Sequence, residues 1–304
     1  MMSTAKSLQG KVAIVTGSGR GIGRSIAHLM AEHGAKVVIN DIDGDNAETV
    51  CAEIIAKGGQ AVTHVAPVGP TQTAEDCVTK AVETFGQLDI VCTNAGNLRD
   101  RVLWNTSDED FDSVIETHLR GTFTFGRAAA RHFRASAIGG RLVLISSLAG
   151  QRGNFGQTAY SAAKAGIAAL ARTWSMELAK AGVTVNAIVP NALTRMTETI
   201  PGLSEHAEAA KQGEPVPESL RQKMGIGTPD DIAPLAVFLA SDAASSVTGQ
   251  CIGIGGDRLS LWAHPTEKRF EIMPGGWSAE SIAACWETNF AAEREDVGIK
   301  FDDQ

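Results

Sequence analysis

The sequence predicts an α/β fold: a doubly wound, mostly parallel sheet with helices on both faces. Short runs rich in β-branched residues and lacking a helical period, such as KVAIVT (11–16) and KVVIN (36–40), read as strands buried on both faces. They alternate with longer segments whose apolar residues recur every three or four positions, the order that crossover helices between parallel strands produce. No internal repeat or low-complexity linker breaks that alternation, so one domain accounts for it.

The first strand, 11–16, runs directly into Gly17, Gly21 and Gly23, after which Ile22, Ile26, Leu29 and Met30 keep helical spacing. Glycines in such a turn let the backbone approach a pyrophosphate, and the helix N-terminus offers it free N–H groups. A glycine turn can also merely connect two elements, but here the strand before it and the helix after it supply the context of a dinucleotide site. Gly17, Arg20, Gly21, Ile22 and Gly23 are therefore candidate cofactor contacts. The second strand, 36–40, ends at Asp41, 24 residues beyond Gly17. A carboxylate there grips a ribose 2′-hydroxyl and repels a 2′-phosphate, which favours NAD over NADP. Arg20 is a signal in the opposite direction, since a guanidinium can pair with a phosphate. Asp41 could also be only a solvated carboxylate in the DIDGD loop.

A helix over 46–57, stopped by Gly58 and Gly59, leads to a strand at 61–65. A polar helix through 75–84 precedes a strand at 88–93 that ends in Asn94-Ala95-Gly96, either a cofactor-lining segment or a tight turn. Beyond it come a helix over 108–133, a strand at 141–146, a helix from Tyr160, a strand at 183–189 and a last core strand in QCIGIGG (250–256). Residues 1–256 read as the domain. Residues 257–304 read as an extension with a strand-like 269–273, a turn at 274–276 and an amphipathic helix from Ser278, packed on its own core or on a neighbouring subunit.

A net charge of −8 and a pI near 5.4 argue against nucleic acid or an anionic membrane as partner and favour a small-molecule substrate. No apolar run approaches the ~18 residues of a membrane span, and the start of the chain lacks signal-peptide features, so a cytoplasmic location is expected. Cys51, Cys77, Cys92, Cys251 and Cys285 are scattered and never in C-x-x-C spacing, so no metal is assigned.

Tyr160 is the only tyrosine in the chain. A phenol with a pKa near ~10 is a poor acid or base at neutral pH unless a fixed positive charge lowers that value. On a helix, Lys164 stands four residues on and on the same face, where its ammonium is expected to supply the charge. Ser147, a short loop upstream, can donate a hydrogen bond to the same substrate oxygen. Taken alone, Tyr-x-x-x-Lys is also what an ordinary helix start produces.

Together these elements resemble the short-chain dehydrogenase/reductase family over about residues 8–257. The match is carried by Thr16-Gly17-x-x-x-Gly21-x-Gly23, Asn94-Ala95-Gly96, Ser147 thirteen positions before Tyr160, and Tyr160-x-x-x-Lys164. NLRDR (97–101), THLRGTF (117–123), NFGQTAYSAAK (154–164) and GWSAESIAACWE (276–287) further resemble the D-3-hydroxyacyl-CoA dehydrogenase subgroup, that of multifunctional enzyme type 2 and 17β-hydroxysteroid dehydrogenase type 4. The resemblance implies a Rossmann fold and NAD-dependent oxidation of a secondary alcohol on a bulky acyl or ring system. A hydroxysteroid or other cyclic alcohol is the alternative substrate. It also implies Ser147, Tyr160 and Lys164 as catalytic residues, Lys164 as holder of the nicotinamide ribose and Thr194 as a further cofactor contact. A homodimer or homotetramer is implied through helix faces around 111–125 and 162–174. A non-catalytic nucleotide-sensing module is the reading from a different class, and the intact Ser-Tyr-Lys set speaks against it.

Three positions depart from the common family pattern: His118 replaces an asparagine, Ala66-Pro67-Val68 lacks an adenine-contacting aspartate, and Asn191 replaces a glycine after Pro190. His118 reads as a core or surface histidine, or as a ring with a role in the site. Substrate specificity is expected in the variable segment 197–224, a natural lid, with Asn154, Phe155 and Gln157 on the other side of the pocket. Leu193, Met196 and Met224 are either apolar contacts of that pocket or packing residues.

Overall fold

The structure, a computed structural model, describes residues 6–194 and 202–299. Met196 and the first residues of the expected lid lie outside the described residues. Eight strands form one sheet in the order β3-β2-β1-β4-β5-β6-β7-β8. They are β1 Val12–Thr16, β2 Lys36–Asp41, β3 Gln60–Val65, β4 Ile90–Thr93, β5 Gly140–Ile145, β6 Val183–Pro190, β7 Cys251–Gly255 and β8 Arg258–Trp262. The first seven are parallel, and β8 returns antiparallel to β7. Strand order reverses where β1 pairs with both β2 and β4, and an open α/β sheet opens its ligand crevice at that point, beyond the carboxyl ends of the strands.

Every residue of β1 and of β4 is buried, as the apolar runs predict for strands covered on both sides. The helices of the dinucleotide half are α1 Gly21–Glu32, α2 Gly44–Ala56 and α3 Thr71–Phe85. Helix α4 Asp108–Ile115 passes through a π-turn, Glu116–Arg120, into α5 Gly121–Ser136. After β5 come the short α6 Leu148–Arg152, then α7 Thr158–Glu177, α8 Ser204–Lys211, α9 Ala233–Ala240 and α10 Ala279–Cys285. On one face of the sheet, Ile26 and Met30 of α1, Ile54 of α2 and Leu239 of α9 join a single core cluster. On the other, Cys77 of α3, Phe125 and Phe133 of α5 and Ile167 of α7 form a second. A third, smaller cluster of Leu193, Leu203, Ala207, Val216, Leu220 and Ile226 lies under the variable segment.

Three elements differ from the sequence reading. The helix expected over 108–133 is interrupted by the π-turn around His118, a wider turn of the kind often found at functional sites. Residues 269–273 form no strand; the strand of the extension is β8, whose exposed Leu259 and Leu261 sit on a sheet edge where no apolar run was needed. Helix α9 leaves no periodic signal in the sequence, because it is apolar all round. Among the described residues no helix is long and apolar enough to cross a membrane.

Candidate active site

The glycine turn lies at the end of β1 and begins α1. Gly17 and Gly21 have φ of +61° and +54°, a region that side chains rarely tolerate. A Cβ on Gly17 would meet the Ala95 backbone, and one on Gly23 would meet the Gly17 carbonyl and the Asn94 amide. A Cβ on Gly21 would meet nothing within 4 Å, so the turn presents open backbone rather than a filled surface at this point. No side chain caps the start of α1, which leaves its N–H groups for a bound anion. This cradle fits a dinucleotide pyrophosphate. Arg20, exposed at the cap position, rims it, and Ile22 packs against the core beneath.

Asp41 closes the cradle on the far side, with Oδ2 accepting from the Gly19 amide at 2.8 Å and Oδ1 from the Asp43 amide at 3.0 Å. Its carboxylate is thus held at the edge of the turn. Asn94 spends its side-chain amide on the Thr16 and Gly17 carbonyls, both at 3.0 Å, and the Thr16 hydroxyl accepts from the Asn94 and Ala95 amides. Asn94 therefore clamps β4 to the glycine turn. Thr16 is the partner that sequence reasoning missed, although it stands in the motif immediately before Gly17. Gly96 leaves space for the ring of His118, which its Cβ would strike.

Ser147 caps α6 by accepting from the Ala149 amide at 3.2 Å, and its hydroxyl also lies within hydrogen-bonding influence of the Tyr160 phenol, whose pKa it lowers. Tyr160 and Lys164 lie one turn apart on α7 as the spacing predicts, with the Lys164 ammonium 5.6 Å from the phenol ring centroid. One expectation is corrected here. Burial dominates and raises the Tyr160 pKa, and burial lowers that of Lys164 to about 7. The reason is desolvation, since both charged forms lose hydration; Lys164 Nζ donates to the Ile145 carbonyl at 2.7 Å and not to the phenol, so it does not offset that cost at Tyr160. Ser146 completes the stitch between β5 and α7 by donating to the Lys164 carbonyl at 2.8 Å.

His118 is a core histidine, not a surface one. Only 2% exposed, its ring meets that of Tyr160 edge-on at 5.1 Å, and Nε2 lies between the Asn97 amide, which donates to it at 3.1 Å, and the Asn97 carbonyl at 2.7 Å. Burial first, then the Lys164 charge, push its pKa down to about 3, so the ring is neutral at physiological pH. On the other side of the site Gln157 stands just before α7 and its side chain links Asn154 to Asp100, while Phe155 projects into solvent at 85% exposure. Asp100 was not singled out from the sequence. Leu193 and Met224 belong to the third core cluster, which favours the packing reading of both. Thr194 directly follows Leu193, whose amide pairs with the Gly227 carbonyl at 2.7 Å, and this anchors the segment beyond β6 beside the site.

The profile of the family described as enoyl-(acyl carrier protein) reductase matches residues 17–256. The chain belongs to the short-chain dehydrogenase/reductase family. It is 38% identical over 297 residues to the hydroxyacyl-CoA dehydrogenase ChsB1 of Mycobacterium tuberculosis, covering 93% of this chain and 90% of that one. To mouse peroxisomal multifunctional enzyme type 2 it is 39% identical over 82% of its own length, though this spans 32% of the mouse protein. A short chain dehydrogenase from Mycobacterium avium, known from its crystal structure, superposes with a TM-score of 0.84 at 37% identity, covering 97% of this chain and all of that one. As a short-chain dehydrogenase/reductase the chain is an oxidoreductase with a Rossmann-like fold that works with a nicotinamide cofactor.

Proposed function

We propose that this protein is an NAD-dependent dehydrogenase of a secondary alcohol carried on a bulky acyl group, with a 3-hydroxyacyl-CoA thioester as the best-supported substrate. The observation that carries it is the convergence of Ser147, Tyr160 and Lys164 beside the glycine cradle, in a chain most of whose length resembles a hydroxyacyl-CoA dehydrogenase. Gly17, Arg20, Gly21, Ile22 and Gly23 would hold the pyrophosphate. Asp41 would hold the adenosine ribose, Ala95, Gly96 and Thr194 would line the cofactor, and Lys164 would hold the nicotinamide ribose. When bound, the cofactor accepts or returns the hydride; the protein supplies orientation and moves a proton.

In the oxidation direction Tyr160 takes the hydroxyl proton, and in reduction it donates one to the forming alkoxide. Ser147 donates a hydrogen bond to the substrate oxygen where negative charge develops. Lys164 is held by the Ile145 carbonyl one helical turn from the phenol, and His118 fills the wall behind the phenol without carrying charge. Asp41 supports NAD over NADP through repulsion of a 2′-phosphate at the edge of the turn. The proposal includes a cytoplasmic dimer or tetramer. Phe111 and Phe123 on the α4–α5 outer face and Met176 on α7 remain 38%, 39% and 73% exposed in the single chain, which is apolar surface suited to a symmetric contact.

The test is an initial-rate panel of 3-hydroxyacyl-CoA esters, hydroxysteroids and cyclic alcohols with NAD and with NADP, run beside Tyr160→Phe. Acyl-CoA oxidation with NAD, lost by roughly 10²–10⁴-fold in the variant, is expected. Faster turnover of steroids or cyclic alcohols transfers the substrate assignment to them. A preference for NADP overturns the role of Asp41, and full activity in Tyr160→Phe overturns the mechanism.

A further inference from the structure

We propose that Asp100 is a charge filter: its carboxylate, fixed at the wall of the catalytic site without a neutralising partner, selects neutral alcohols and acids masked as thioesters against free hydroxy acids. The inference rests on the dehydrogenase reading given above and adds a specificity-determining residue to it.

Two loops form this wall, 97–101 after β4 and 154–157 before α7. They are zipped along the backbone, the Arg101 amide donating to the Gly156 carbonyl at 2.8 Å, and Arg101 and Gln157 form a β-bridge. On top of this zip, Gln157 Nε2 donates to Asp100 Oδ2 at 2.9 Å, and Gln157 Oε1 accepts from Asn154 Nδ2 at 3.0 Å. The carboxylate, itself exposed to solvent, is therefore oriented by Gln157, which stands three residues before Tyr160 and has both polar ends engaged. Its sequence neighbours are Arg99 and Arg101, either of which could neutralise it. Both instead reach Asp110, Arg99 at 3.7 Å and Arg101 at 2.9 Å, and among the described residues no cation pairs with Asp100. The negative charge is felt at the phenol, whose pKa it raises. Within the catalytic set Lys164 is the opposing charge, and it is buried and bonded to the Ile145 carbonyl.

A substrate carboxylate one or two carbons from the reacting alcohol would enter this field. Like charges about 6 Å apart, at the effective dielectric of a protein surface, cost a factor on the order of ten or more in binding. Conversion of the acid to a thioester removes the charge at that position. The phosphates of a coenzyme A carrier lie a pantetheine arm away, beyond the ~8–10 Å over which exposed charges interact at physiological salt. The filter thus rejects a free 3-hydroxy acid and admits its activated form. It also admits neutral ring alcohols, so it is independent of the choice between those two substrate classes.

Asp100→Asn is the informative substitution, because the asparagine oxygen still accepts from Gln157. The measurement is the ratio of kcat/KM for 3-hydroxybutyrate to that for its N-acetylcysteamine thioester, which has no phosphates, with NAD at low salt. The ratio cancels any effect common to both substrates. Wild type is expected to favour the thioester, and Asp100→Asn to raise the acid-to-thioester ratio about tenfold. Salt is expected to raise the same ratio in wild type and to leave that of the variant nearly unchanged. The same comparison is made by binding acetoacetate and methyl acetoacetate to the NADH complex, read from cofactor fluorescence, and needs no turnover. An unchanged ratio in Asp100→Asn, or equal binding of anion and ester by wild type, overturns the filter. Lack of turnover of every acyl substrate, with the ester still bound more tightly than the anion in wild type alone, overturns the acyl reading and leaves the filter standing.

Discussion

At Tyr160 the two sides of one physical effect are visible. Burial makes the phenol a weaker acid and Lys164 a weaker base, so neither group is charged as readily as in water. Because the phenol pKa is raised, its base form is scarce near neutrality. Alcohol oxidation is expected to climb with pH through the neutral and alkaline range, whereas ketone reduction, which uses the protonated phenol, stays level until alkaline pH. Initial rates in both directions across pH 6–10 check this. Asp100 adds to the upward shift, so Asp100→Asn is expected to move the oxidation limb toward lower pH. A limb that moves the other way would place the carboxylate's influence elsewhere.

The glycine turn is the element proposed to hold the cofactor, and at Gly17 and Gly23 it leaves no room for a side chain. Gly23→Ala would drive a methyl group into the Gly17 carbonyl and the Asn94 amide, so the turn must shift before a pyrophosphate can approach. The expected outcome is NADH affinity weakened by at least tenfold with the melting temperature lowered only by several degrees, measured by fluorescence titration and calorimetry. Most elements of this kind were legible in the sequence, because buried parallel strands leave continuous apolar runs and α1 and α3 leave strong periodic stripes. The placing of Tyr160 and Lys164 on one helix face was legible for the same reason, whereas a catalytic role for them with Ser147 is what the family resemblance implies. What was not legible depends on contacts between distant segments. The capture of Lys164 by the Ile145 carbonyl, the pairing of Asp100 with Gln157 and the insertion of His118 beneath Tyr160 join residues 19, 57 and more than 40 positions apart, which no local spacing encodes. The π-turn that carries His118 and the all-apolar α9 likewise lack a signal at the period expected of a surface helix.

Across the whole molecule, the buried histidine couples the site to stability. The folded-state pKa of His118 is about 3 against an ordinary 6.5, so the unfolded chain takes up a proton that the folded chain refuses. Above pH 6.5 both states are neutral and nothing is lost; as pH falls from about 6.5 toward 3 the fold loses up to a few kcal/mol on this account. Urea midpoints between pH 7 and 4 are expected to fall, and less steeply in His118→Gln. Lys164 acts with the same sign in another window: with its pKa lowered from 10.5 to about 7, stability rises as pH climbs between those values.

The far end of the chain is tied to this site as well. Arg152, the last residue of the helix that Ser147 caps, donates to the carbonyls of Asp296 and Gly298, both at 3.0 Å, and the Gly298 amide returns a bond of 2.8 Å to the Arg152 carbonyl. That single amide can therefore exchange its proton with solvent only when the tail lifts from the serine helix. Its deuterium uptake serves as a built-in gauge of order beside the Ser147 hydroxyl, readable in the intact protein without a substrate or a label.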